Sequence, residues 1–187
     1  MIEIDVTMVD AASVSIFVHA DEAGISVDES AADAERICAS IRAADATACG
    51  LYEPWSASSA RVIWVKRRPF QEVEGPQEGE PLLHACVSAP GRPRHHAFTG
   101  TGAANLAVAA AIPGTVVATA LTRPLSSLHF RHPAGDMEVH AHVEPLAPSA
   151  QSDAANDQAQ SWTARSTGFL RTARVLAHGD FFYGNSN

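Results

Sequence analysis

One segment in the middle of the chain restricts the fold more than any other. A Gly-Thr-Gly turn at residues 100–102 opens a run of apolar residues, and Pro113-Gly114 ends it. The run predicts a helix over about 101–112 that is apolar on every side, so other elements must surround it. A strongly curved sheet wrapped around one central helix would do so, and the many alanines would let the sheet close tightly.

The turn itself predicts an anion site. The first N–H groups of a helix have no partner within the helix, and the helix dipole is positive at that end. A carboxylate or phosphate in front of residues 100–103 would therefore be stabilised. The alternative is that Thr99 or Thr101 simply caps a buried helix, with no ligand at all.

Composition limits the class of protein. A length of 187 residues fits one domain, and a net charge of −8 argues against a general nucleic-acid binder. No apolar run approaches the roughly 20 residues that span a bilayer, and no secretory signal is visible at the start of the chain. The three cysteines, Cys38, Cys49 and Cys86, are odd in number and widely spaced. They suit reduced thiols in a cytoplasmic protein, with Cys38 and Cys49 packing on a helix.

The rest of the chain predicts mostly strands and one further helix, over about 31–47. Strands are expected at 3–9, 13–18, 61–65, 82–88, 115–121, 127–132, 137–144, 168–176 and 181–183. Two segments, 67–81 and 145–160, lack periodicity and are predicted to be mobile loops. The fold class is therefore α+β.

Several polar side chains near the turn are candidates for binding. His95 and His96 stand just upstream of it and could bind a carboxylate or exchange a proton near neutral pH, unless they are ordinary exposed loop histidines. His132 begins a turn between two predicted strands. Arg171 and Arg174 differ by three positions, so on a strand only one of them would face a given site. Surface arginines are the alternative for both.

A metal site is a weaker possibility. His140 and His142 alternate on a predicted strand and share a face, with His129 on a neighbouring strand. The local sequence fixes no third ligand, and no His-Glu-x-x-His pattern occurs. The sequence also lacks a Gly-x-Ser-x-Gly elbow, a dinucleotide-binding glycine motif and a phosphate-binding loop. We therefore predict neither a metal nor a cofactor.

The order of the motifs resembles the PrpF family over nearly the whole chain. The matching segments are 8–18, 20–25, Glu35-Arg36-Ile37, Ile41-Arg42, His95-x-Ala97, Thr101-Gly102-Ala103, 112–116, 132–135 and 171–176. Each motif is weak alone, and the ordered set is fairly specific.

The resemblance implies a fold and a chemistry. The family includes methylaconitate cis–trans isomerase and 4-oxalomesaconate tautomerase, and its members resemble diaminopimelate epimerase: two similar halves, each a curved sheet around a helix, with the active site between them. Their chemistry is cofactor-free proton transfer that moves a C=C bond in a di- or tricarboxylic acid. The substrate-binding residues implied here are His95, Thr99, Gly100, Thr101, Gly102, Ala103, His132 and Arg171.

Two departures qualify that implication. The matched pattern is the second half of the family's pattern, without the glycine-rich opening motif, the catalytic lysine and the Asn-Cys-Gly-Asn motif of the first half. Thr99 also stands where related epimerases have a cysteine, so it is expected to donate a hydrogen bond rather than act as a thiolate base.

We therefore expect residues 1–187 to form one domain equivalent to the C-terminal domain of the family. The source of the catalytic base is unassigned. The chain should bind a small di- or tricarboxylate, with no nucleic-acid or membrane partner, and form a homodimer or a complex with an N-terminal-half partner. The alternative is a non-catalytic carboxylate-binding or assembly module.

Overall fold

A computed structural model describes residues 3–28, 30–48, 60–68, 80–92, 94–146, 161–170 and 174–180. The strands within these ranges are β1 (Val6–Asp10), β2 (Val14–His19), β3 (Arg61–Arg67), β4 (Leu83–Ser88), β5 (Ser127–His132), β6 (Gly135–Pro145) and β7 (Trp162–Phe169). The helices are α1 (Ala31–Ala48), α2 (Gly100–Ala111) and α3 (Val116–Ala120).

The seven strands form one sheet in sequence order, from β1 at one edge to β7 at the other. Two neighbouring pairs, β2–β3 and β4–β5, are parallel, and the other four pairs are antiparallel. The sheet curls around α2, in which every residue from Gly102 to Ala111 is buried. The predicted α+β class, the curved sheet and the enclosed apolar helix are confirmed, and the sheet is mostly antiparallel.

The two faces of the sheet carry separate cores. In β3, Ile63 and Val65 point inward to the cluster around α2, whereas Val62 and Trp64 point outward to the cluster beneath α1. This is the two-residue alternation of a strand. Because both faces are covered, β3 is apolar at four consecutive positions, which is why its sequence shows no polar alternation.

Helix α1 begins at a reciprocal cap. The Ser30 hydroxyl accepts the Asp33 backbone N–H at 3.2 Å and donates to the Asp33 carboxylate at 2.7 Å. The cap satisfies an N–H that has no partner inside the helix. From there Ala34, Cys38 and Ile41 are buried against the outer face of the sheet, as expected of Cys38. Cys49, at the end of the predicted helix, lies outside the described residues.

The prediction of a strand over 115–121 is wrong, because α3 occupies this segment. Gly114 has a φ of +80°, which turns the chain sharply after α2. The Thr115 hydroxyl then accepts the Ala118 N–H at 3.0 Å and caps a new helix. Val116 and Val117 are buried in the inner core. The local cap and the burial together outweigh the strand preference of paired valines.

The prediction of a strand over 168–176 is also wrong in its limits. The strand β7 ends at Phe169, and residues 174–176 lie outside any strand. The start of β7 gave little signal because it is an edge strand with a bulge opposite His142 and Val143, and its side chains alternate poorly between buried and exposed.

The remaining predictions fall partly or wholly outside the described residues. The strand at 181–183, residues 69–79 of one predicted loop and residues 147–160 of the other belong to this group. Within the described residues, no helix is both long enough and apolar enough to cross a membrane.

Candidate functional site

The start of α2 uses two of its four leading N–H groups internally. The Thr99 hydroxyl accepts the Gly102 N–H at 3.1 Å, and the Thr99 carbonyl accepts the Ala103 N–H at 2.9 Å. The N–H groups of Gly100 and Thr101 have no hydrogen-bond partner among the described residues. Both residues are partly exposed. The anion site predicted over 100–103 therefore narrows to these two donors.

The two glycines of the turn have different surroundings. A Cβ on Gly102 would lie 2.7 Å from the Thr99 hydroxyl oxygen, so glycine is needed there for the cap to form. A Cβ on Gly100 would lie 2.9 Å from the ring of Phe169, at the end of β7. Gly102 is thus a packing residue, whereas Gly100 lets an aromatic ring cover one side of the helix start.

His95 is fixed on the loop before the turn. Its backbone N–H donates to the Val87 carbonyl at the end of β4, at 2.8 Å. Its Nδ1 accepts the Ala97 N–H at 3.1 Å, and its ring stacks on the exposed ring of His96 with centroids 4.7 Å apart. The loop geometry therefore leaves Nε2 as the nitrogen of His95 available to a ligand.

His132 reaches the same place from the end of β5. Its ring lies 6.2 Å from that of Phe98, the residue before Thr99, and 6.0 Å from that of Phe130. Phe98 and Phe130 form an edge-to-face pair with centroids 5.0 Å apart. This aromatic cluster connects β5 to the start of α2, and so brings His132 to the predicted turn.

The environment of His132 keeps its imidazole neutral. Burial lowers the pKa of His132. Asp136 opposes this shift in part, and His95 adds a still smaller lowering. The His132 Nδ1 also accepts the Ala134 N–H, at 3.2 Å. A neutral imidazole that accepts at Nδ1 carries its proton at Nε2. His132 and His95 are therefore both arranged to donate from Nε2.

The loop that carries His95 is anchored from the outer face of the sheet. Glu35 on α1 accepts the Gly91 N–H at 3.2 Å and also binds the Ser88 hydroxyl at the end of β4. Arg42, on the same helix, donates from Nη2 to the Glu35 oxygen that also accepts the Gly91 N–H, at 2.5 Å. In the sequence Glu35 and Arg42 stood out only as motif residues, because the contacts of Glu35 with Ser88 and Gly91 join residues more than 50 positions apart.

Other candidates do not join this cluster. Arg171 lies outside the described residues, and Arg174 is exposed. His140 and His142 are exposed on β6, where the His142 Nε2 lies 3.5 Å from Glu144. In the part of the chain that the structure describes, no three histidine, cysteine or acidic side chains are placed to hold a metal ion.

The described cysteines are unsuited to act as bases. Burial raises the pKa of Cys38 to about 12 and that of Cys86 to about 11. Both thiols therefore stay protonated near neutral pH, whereas a nucleophilic or basic cysteine must be a thiolate.

Sequence reasoning missed Asn105, which holds the first hairpin against α2. Its side-chain oxygen accepts the N–H groups of Ala11 and Ala12, at 3.1 and 3.2 Å. Its amide nitrogen donates to the Val9 carbonyl at 3.3 Å, to the Ser15 hydroxyl at 2.7 Å and to the Ser13 carbonyl. A single amide in an otherwise apolar helix was the signal, because a buried polar group requires partners.

Comparisons with known proteins agree with this architecture. The model of the family described as "PrpF protein" matches residues 2–182. The chain belongs to the PrpF family.

A solved structure with a similar fold is that of a methylitaconate-delta-isomerase, with a TM-score of 0.60 and 22% sequence identity. The match covers 89% of this chain and 46% of that protein, so this PrpF chain spans about half the length of its structural relative. A search of curated proteins gave no match.

Proposed function

We propose that this chain is the substrate-binding half of a cofactor-independent isomerase. The reaction would shift a C=C bond in a di- or tricarboxylic acid of the methylaconitate or oxalomesaconate type. The observation that supports this proposal is a group of hydrogen-bond donors without a base. His95 and His132 each have Nδ1 occupied by a backbone N–H. His95 stands on the loop that leads to the unpaired N–H groups of Gly100 and Thr101, and His132 packs on Phe98 of the same loop.

Such donors suit the difficult step of this chemistry. Removing a proton next to a carboxylate places negative charge on the carboxylate or enolate oxygens. Fixed N–H donors stabilise that charge without having to reorganise during the reaction. A neutral histidine can serve as such a donor, and the lowered pKa of His132 favours its neutral form near pH 7. We assign His95, His132, Gly100 and Thr101 to this role, with Thr99 shaping the turn.

The proposal places the base outside this group. His95 and His132 would have to release the Nδ1 contacts with Ala97 and Ala134 before Nε2 could accept a proton. Cys38 and Cys86 are held as thiols by burial. Turnover would then need a second half that closes the site, either an N-terminal-half partner or another copy of this chain, and the chain alone would be inactive.

The second candidate is a carboxylate-binding module without catalysis, which the same group of donors would serve. Incubation with methylaconitate or oxalomesaconate in D₂O separates the two functions. A supplied N-terminal half should produce both isomerisation and deuterium exchange if the chain is half of an isomerase. A binding module would show neither, and ordinary enzymatic turnover by the chain alone would contradict the missing-base argument.

Binding is tested directly by titrating tricarballylate and following backbone amide signals. We expect the signals of Gly100 and Thr101 to shift more than those of Gly102 and Ala103, whose N–H groups are already bonded. His132→Phe should weaken binding about 10- to 100-fold, the usual value of a hydrogen bond to a charged group. His140→Phe, on the exposed face of β6, is the matched control. Equal affinity of the two variants would exclude His132 from the site.

A further inference from the structure

The sheet has two open edges that face one cleft. β1 and β7 are the first and last strands of the sheet, so each has one side without a strand partner among the described residues. A cleft of about 560 Å³ is lined on one side by Met8–Ala11 of β1 and its turn, and on the other by residues 162–167 of β7. Val108 of α2 and Ile112, which follows the last residue of α2, also line it. The central helix is thus reachable between two unpaired strand edges.

The two edges run in the same direction along α2. β1 starts beside α3, where the Thr7 hydroxyl accepts the Val116 N–H at 2.9 Å, and the turn after it reaches Asn105. β7 ends where Phe169 lies against Gly100, at the start of α2. A strand inserted in the opposite direction would therefore be antiparallel to both neighbours, the pairing that most of this sheet uses.

The same chain carries an unpaired segment of suitable composition. Residues 174–180 have no secondary structure and no hydrogen bond to the other described residues. Val175 and Leu176 are 87% and 81% exposed. Adjacent apolar side chains that are exposed to this degree indicate a surface that another molecule covers. On an inserted strand, one of the two would face Val108 and Ile112.

The segment has no evident route back to its own cleft. To pair beside β7 of its own chain it would have to reverse direction directly after Phe169. The four intervening residues, 170–173, are Leu-Arg-Thr-Ala, and they include none of the glycine, asparagine, aspartate or proline that tight hairpin turns require.

We propose that residues 174–180 of one copy insert as a strand into the cleft between β1 and β7 of a second copy, and that the second copy does the same in return. Each chain supplies one cleft and one strand, so a two-fold dimer satisfies both. Backbone hydrogen bonds along the two edges would supply the affinity, as in other cases of strand addition. This inference is independent of the proposed function, because its tests need no substrate.

The first test is the oligomeric state by light scattering. We expect a dimer of twice 19.7 kDa for the unaltered chain. Val175→Asp should raise the dimer dissociation constant at least about tenfold, since a charge would enter the apolar cleft. Leu146→Asp adds the same charge at another exposed leucine and should leave the dimer intact. A monomeric unaltered chain, or equal dimerisation of both variants, would overturn the proposal.

The second test shows whether the exchange occurs between chains. Ala164→Cys and Val175→Cys are placed in one chain, with Cys49→Ser to remove a competing thiol, and a short flexible bismaleimide is added. Exchange predicts a covalent dimer on a denaturing gel. An internal cross-link would show that the segment fills its own cleft, and absence of any cross-link would show that it lies elsewhere; either result refutes the exchange. Both altered sites are exposed or line the open cleft, so we expect the variant to fold. Circular dichroism checks that it does.

Discussion

The two faces of the sheet are held to their helices by different chemistry. On the inner face, α2 is joined to the first hairpin by neutral hydrogen bonds from one buried amide, Asn105. On the outer face, α1 is joined to the end of β4 and the loop after it by the Glu35 carboxylate, which accepts hydrogen bonds from Ser88 and Gly91 and is paired with the buried Arg42 of the same helix. The inner contact fixes the hairpin on the helix, and the outer contact fixes the loop that carries His95. The candidate site therefore depends on contacts on both faces of the sheet.

The largest expected effect comes from removing the inner contact. Asn105→Leu keeps the volume of the side chain but leaves several backbone groups of the hairpin without partners. Because each unsatisfied buried group costs about 1–3 kcal/mol, we expect a loss of about 3–5 kcal/mol in the free energy of unfolding. Urea denaturation measures it. Ser40→Ala, which removes an exposed hydroxyl from α1, is the control and should change stability by less than about 0.5 kcal/mol.

The outer contact should show strong coupling between its partners. Glu35→Leu leaves the Arg42 guanidinium buried, with Nη1 already unpartnered, and should cost about 3 kcal/mol. The double variant Glu35→Leu/Arg42→Met should recover part of that loss, because no uncompensated charge remains. A double-mutant cycle in urea measures the coupling. If the two losses simply add, Arg42 does not stabilise the Glu35 carboxylate that holds the loop.

The comparison also explains how much of the fold the sequence could predict. The apolar run after the turn predicted an enclosed helix, because no other environment suits it. Val116 and Val117 led to a wrong prediction of a strand. The cap at Thr115 outweighs their strand preference, and the turn before Thr115 places that cap. The limits of β7 were predicted wrongly because an edge strand alternates weakly between buried and exposed residues. The hydrophobic pattern of the sequence predicted the element correctly where a single environment surrounds it. It failed at the ends of elements and at the edge of the sheet.

The candidate site divides in the same way. Thr99 and the glycines after it form one continuous motif, so the sequence was sufficient to predict the turn. The approach of His132 to that turn depends on its contacts with Phe98 and Phe130, which join β5 to the start of α2. The local cap at Thr99, in contrast, decides which N–H groups of the turn stay free. The residue types were therefore predictable from sequence, and their grouping was not.

A smaller effect on the free energy of unfolding is expected at the turn that begins α2. A Cβ on Gly102 would displace the Thr99 hydroxyl, and loss of a threonine cap costs about 0.5–2 kcal/mol. Gly102→Ala should therefore destabilise the protein by about 1 kcal/mol, despite the better helix propensity of alanine. Gly168→Ala is the matched control, because its Cβ would meet only the exposed His140 ring, which can move aside. Thermal unfolding of both variants should separate them, and equal melting temperatures would mean that the cap is dispensable.

The smallest expected effect is a pH dependence from His132. Its pKa is lowered in the folded protein, mainly by burial, so the unfolded chain binds more protons as the pH falls below the ordinary histidine pKa of 6.5. Stability is therefore retained above that value and decreases as the pH falls through it. His132→Phe should remove this part of the decrease between about pH 7.5 and 5.5, measured by urea midpoints.

The acidic range provides the control for this experiment. The Arg131 guanidinium lowers the pKa of Asp136 below its ordinary value of 3.8, so the stability that Asp136 contributes is lost only at lower pH still. The pH range in which His132 affects stability therefore lies above the range in which Asp136 does. If His132→Phe kept the full decrease in stability near pH 6.5, the titrating group would be another residue. That result would also remove the reason for treating His132 as a neutral hydrogen-bond donor on the inner face of the sheet.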